Sequence, residues 1–118
     1  MVQIEQLAEA VLKGEGVTAR SLVQDFFGER PRLVDIPKPT VEDERLLAAS
    51  ASLLELFASR WGQDAPAWTK DINPLPEPIY LLKSATTMKR LREFCKQESP
   101  EPLRKRGFYA PPNYLDFA

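Results

Sequence analysis

Three carboxylates, Asp64, Asp71 and Glu77, flank Lys70 in a stretch rich in tryptophan and proline. Paired carboxylates can move protons or hold magnesium, so a metal-dependent hydrolase or transferase would rest on these residues. Their spacing fits no single helix face, and no glycine-rich phosphate loop accompanies them. Carboxylates in a loop of this kind are ordinarily solvated. Histidine is absent from the 118 residues, which removes the commonest general base and the commonest metal ligand. Ser-His-Asp and Cys-His catalysis and most zinc sites are excluded with it. The expectation is a non-enzyme with no catalytic, cofactor-binding or metal-binding residue.

The stronger chemical signal is basic. Lys89, Arg90, Arg92 and Lys96 fall in one helical segment, with Lys83 before it and Arg104, Lys105 and Arg106 after it. Lys89, Arg92 and Lys96 are three and four residues apart and share a face, which could follow a phosphate backbone or an acidic groove. Glu93 and Glu98 dilute the patch, and a plain solvated face is the alternative. Net charge is only −1, but the cations gather towards the C-terminal end. An acidic partner could be met there. Trp61, Trp68 and Tyr80 add aromatic anchors of the kind that dominate interfaces, although Trp61 reads as core. The candidate partner-binding residues are therefore Trp68, Tyr80, Lys89, Arg92, Lys96, Arg104 and Arg106.

The elements that position them read as all-α. Ile4, Leu7, Ala8, Val11 and Leu12 make one apolar stripe, closed by Gly14. Thr18 can cap a second helix carrying Ala19, Leu22, Val23, Phe26 and Phe27 inward, ending at Gly28. The two should fold back on each other as a hairpin over residues 1–28. A helix-turn-helix has the same outline, but Arg20, Ser21, Gln24 and Asp25 are a weak set for DNA. Residues 29–40 contain three prolines and form a connecting strap. Thr40 with Asp43 suggests a capping-box start for helix 3, from about Val41 to Trp61, with Gly62 as its stop. Its broad apolar face makes it the central helix.

Pro74, Pro76 and Pro78 then alternate, leaving few backbone donors for a sheet. No two prolines are three apart, so a PxxP ligand is not present and a strap held against the core is expected. Thr86 or Thr87 can cap helix 4, with Met88, Leu91, Phe94 and Cys95 inward. Ser99 and Pro100 start a short helix 5 that Gly107 ends. The tail with Phe108, Tyr109, Tyr114, Leu115 and Phe117 is too apolar to stand free in water and should dock. A single domain over 1–118 follows, with its main body at 41–118, and the sequence leaves open whether residues 1–28 pack on it. A lone cysteine, no apolar run long enough for a membrane and no secretory signal point to the cytoplasm.

Several of these residues carry a resemblance. A helix ending near Trp61, APAW at 65–68, PIYLL at 78–82, LREF at 91–94 and SPEPLRKRGFY at 99–109 followed by Leu115 resemble a small bacterial domain over residues 45–116. In that family the domain often follows an Xre-type helix-turn-helix in transcription regulators, and some members are encoded beside nucleotidyltransferase-type toxins as antitoxins. Pro66, Trp68, Pro100, Arg104, Arg106 and Gly107 are the matching positions, none with a catalytic role. Here only the hairpin at 2–27 lies upstream, which turns the implication from promoter binding to protein interaction. The resemblance thus implies an antitoxin-like or regulatory accessory protein with a protein partner of the nucleotidyltransferase-type toxin class. A nucleic-acid-binding regulator using the basic face of helix 4 is the alternative.

Overall fold

In a computed structural model, residues 2–82, 85 and 87–116 are described. Helices α1 (Ile4–Leu12), α2 (Gly16–Gly28), α3 (Glu44–Trp61), α4 (Lys89–Glu98) and α5 (Glu101–Arg104) make the chain mostly helical. Two 3-10 turns, Leu33–Asp35 and Ala67–Asp71, and two short strands, β1 (Ile79–Tyr80) and β2 (Phe108–Tyr109), complete the elements. No helix among the described residues is long and apolar enough to cross a membrane.

The apolar stripe of α1 points inward: Ile4, Leu7, Ala8 and Val11 are buried. Together with Ala19, Val23 and Phe26 of α2 they join one apolar cluster with Leu53, Leu54 and Phe57 of α3. The hairpin therefore packs on the rest of the chain. Helix α2 starts at Gly16, two residues before the expected Thr18 cap, so Thr18 lies inside its first turn. Leu22 is half-buried and Phe27 is exposed, because the inward face of α2 centres on Val23 and Phe26.

Helix α3 is buried around most of its girth, with Ala48 to Leu54 enclosed in an unbroken run. Its small residues permit close approach, and Ser50 turns its hydroxyl back onto the Leu46 carbonyl at 2.8 Å. The helix starts at Glu44 and is capped by Asp43, whose carboxylate accepts from the Arg45 and Leu46 amides at 2.9 and 3.3 Å. That is later than the expected Thr40 start, since Asp43 supplies the acceptor itself. Gly62 ends the helix in the left-handed region at φ 67°.

The proline strap pairs with the few backbone donors that its prolines leave. Ile79 and Tyr80 lie parallel to Phe108 and Tyr109, in register Ile79 with Phe108. The amides of Leu75, Ile79 and Leu81 donate to the carbonyls of Arg106, Gly107 and Tyr109 at 3.2, 2.8 and 2.9 Å. Successive amides of an extended chain point to opposite sides. The prolines occupy 74, 76 and 78, on the side that needs no donor, and the odd positions make the bonds. Proline at alternate positions suits an edge of this kind.

Gly107 makes the turn into β2 at φ 90°. A Cβ there would stand 3.6 Å from the Glu77 carbonyl oxygen, so there is room for a methyl and the cost of one is conformational. Gly107→Ala is expected to lower stability by about 1–3 kcal/mol, read as a fall in the urea midpoint at unchanged slope. An unchanged midpoint would show that the positive φ is not required.

Candidate partner-binding surface

The aromatic and basic candidates divide between structural duty and solvent. Trp68 sits in the second 3-10 turn, half-buried, and its indole N–H donates to the Ile36 carbonyl at 2.8 Å. That bond ties the 3-10 turn Ala67–Asp71 to the strap at 29–40. Tyr80 is half-buried beside Tyr109, ring centroids 5.3 Å apart.

Arg106 is the clearest correction. It is 3% exposed, and its guanidinium is enclosed by Glu55 on Nη1, the Thr69 carbonyl on Nη2 and the Ile72 carbonyl at 3.3 Å from Nε. It cannot reach a partner's surface, because this cage closes α5 onto α3 and the strap. Lys105 adds its ammonium to the same carboxylate at 2.9 Å. Burial pushes the Glu55 carboxyl up, but the bonds from Arg106 and Lys105 outweigh it and hold the group below the ordinary carboxylate value. Sequence reasoning missed Glu55, although a lone carboxylate inside LLELF on a broadly apolar helix signals a buried counterion.

The remaining cations lie on or near the surface. Lys89, Lys96 and Arg104 are exposed, and Arg104 Nη1 donates to the Gln97 carbonyl at 3.2 Å. Arg92 is half-buried, its Nε donating to the Ala85 carbonyl at 3.2 Å. Arg90 is exposed beside Phe94 on the opposite flank of α4 from Lys89 and Lys96.

Helix α4 differs most from its expected packing. Cys95 alone among its residues is fully enclosed, and burial raises its thiol pKa. Leu91 is half-buried, whereas Met88 is 56% and Phe94 45% exposed. Both were expected inward. Phe94 lies off the narrow arc that Cys95 defines, and Met88, seven residues before Cys95 on the same side, stands at the capping position ahead of the helix, so the described chain covers each only in part. The helix starts at Lys89 with Met88 at the capping position and no side-chain cap. Lys83, Thr86 and Phe117 lie outside the described residues.

Asp64, Asp71 and Glu77 are all exposed. No group of three His, Cys, Asp or Glu side chains among the described residues could hold a metal ion. The tail expected to dock does so through Ala110 and Leu115, both buried, and through Arg60, which donates to the Tyr114 carbonyl at 2.6 Å and the Pro112 carbonyl at 3.2 Å. Burial pushes the Tyr114 phenol up to about 12.

Comparison of the chain with protein-family models, with curated proteins and with solved structures finds no match.

Proposed function

We propose that this protein is a non-enzymatic interaction module, an antitoxin-like or regulatory accessory protein, that meets an acidic protein partner through α4. The observation that carries this reading is the stripe of Met88, Leu91 and Phe94, three residues apart, left partly in solvent between the cations Arg90 on one side and Lys89 and Lys96 on the other. Apolar side chains ringed by charge are the usual anatomy of a protein interface, in which the aromatic supplies affinity and the rim supplies orientation. Lys89 and Lys96 would meet carboxylates, and Phe94 would enter an apolar notch. A nucleotidyltransferase-type toxin is the partner class that the family resemblance suggests.

The test is a pull-down of the tagged chain and of Phe94→Glu from the native host, with protein and nucleic acid both identified. Runs at about 50 and about 500 mM salt span Debye lengths of about 14 to about 4 Å. The proposal expects one stoichiometric protein with the parent chain, absent with Phe94→Glu although that variant melts at the parent temperature. Nucleic acid recovered only at low salt, and equally by the variant, would replace the protein partner with a phosphate backbone on Lys89 and Lys96.

A further inference from the structure

We propose that the notch lined by Lys70, Lys105 and Arg106 is a binding site for a phosphate group, free or as the monoester of a small molecule. This goes beyond the α4 surface and does not depend on it. The notch is a shallow, open depression of about 370 Å³ bordered by Lys70, Ile72, Pro74, Lys105 and Arg106. Three of those five side chains are cations, and no carboxylate lines the space.

The cations are placed differently, and the differences fit anion binding. Arg106 forms the fixed back wall. Its Nε and both Nη atoms are engaged by Ile72, Glu55 and Thr69, which locks the plane of the guanidinium. At 3% exposure it supplies a fixed positive charge behind the notch, with no side-chain entropy to lose when an oxyanion arrives. Lys105 stands at the rim with its side chain about half exposed and its ammonium on Glu55. Lys70 is exposed and has no ion-pair partner among the described residues.

Glu55 is the one carboxylate bonded to this group, and it approaches from α3 outside the notch lining. With Asp71 next to Lys70 in the chain, three cations stand against two carboxylates, a local excess of one positive charge that favours an oxyanion. The carbonyls of Thr69 and Ile72 are already accepting from Arg106 and do not oppose an anion. Ile72 and Pro74 give the notch one apolar side, and a hydrogen bond from a lysine ammonium to an oxyanion there is charge-assisted. The Glu55 bonds account for Arg106 and Lys105 as parts of the fold, but Lys70 has no such duty, and it is the residue that the site requires.

The experiment uses the whole chain and follows its amide NMR spectrum and its heat of binding as sodium phosphate is added near pH 7.5 against sodium chloride of equal ionic strength. Saturable binding of one phosphate per chain is expected, centred on the amides of 70–74 and 104–107. Lys70→Gln should weaken it about tenfold, the loss of one charge-assisted bond, and Lys70→Arg should keep it. Lys89→Gln, on α4, should leave it unchanged. A nucleoside monophosphate run in parallel separates the sources: tighter binding than phosphate marks an organic monoester, and equal binding marks free phosphate. No saturable response up to about 10 mM phosphate, or equal affinity in Lys70→Gln, overturns the proposal.

Discussion

Glu55→Ala is expected to destabilise the domain by about 3–5 kcal/mol, because it leaves the Arg106 guanidinium buried without its counterion. Lys105 is at the surface and can turn to water, but Arg106 cannot. The Thr69 and Ile72 carbonyls still solvate it in part, so the loss should fall towards the lower end of that range. Arg106→Met is expected to cost less, since Glu55 keeps Lys105 and the main loss is that of two carbonyl partners. Urea unfolding of the two variants at neutral pH decides the order. If Arg106→Met proves the more damaging, the cation matters to the fold chiefly through the two backbone carbonyls.

The same carboxylate sets a pH dependence. Its folded-state pKa is depressed, so the unfolded chain takes up the proton first as pH falls. The stabilisation is complete above the ordinary carboxylate value near 4.5 and is lost as pH drops from there through the folded value. Midpoints for the parent chain should therefore decline on that acid limb, and Glu55→Gln, which has no proton to take up there, should show a shallower decline.

Phe57→Ala is expected to cost about 3–5 kcal/mol, the range for a fully buried aromatic deleted from a core. Its ring lies parallel to that of Trp61, centroids 4.7 Å apart, and 5.9 Å from Phe26, and only 1% of the residue is exposed. For a chain of this length the loss corresponds to a melting temperature lower by on the order of 10–20 °C. Phe27→Ala is the control. Phe27 meets the edge of Trp61 at 5.1 Å but is 44% exposed, so its removal should cost about 1 kcal/mol. Equal melting temperatures for the two variants would mean that the stack is not the centre of the core.

The helices could be read from the sequence wherever their signals are local. The α1 stripe and the Gly62 stop of α3 are written within one or two turns and appear as expected. The caps moved because Asp43 rather than Thr40 supplies the acceptor at α3, while α2 starts after Glu15 with no side-chain cap, a start set by the path of the chain rather than by a local acceptor. Met88 and Phe94 failed for a different reason. Periodicity identifies an apolar side of a helix but not whether anything faces it, and on α4 the described chain encloses only Cys95 and part of Leu91. The strand pair and the Arg106 cage are further still from local rules. Ile79 finds Phe108 across the whole of α4 and α5, and Arg106 finds Glu55 across 51 positions.

That separation bears on how the chain is assembled. On a polypeptide growing from its N-terminus, α3 is complete well before Arg106 exists. Until then Glu55 must stay hydrated, because closing an apolar surface over it would strand a charge at a cost of several kcal/mol. The flank of α3 that carries it is thereby kept from settling on a wrong neighbour, and the hairpin of α1 and α2 can close on the other flank first. Glu55 holds a place in water that only the last quarter of the chain can fill.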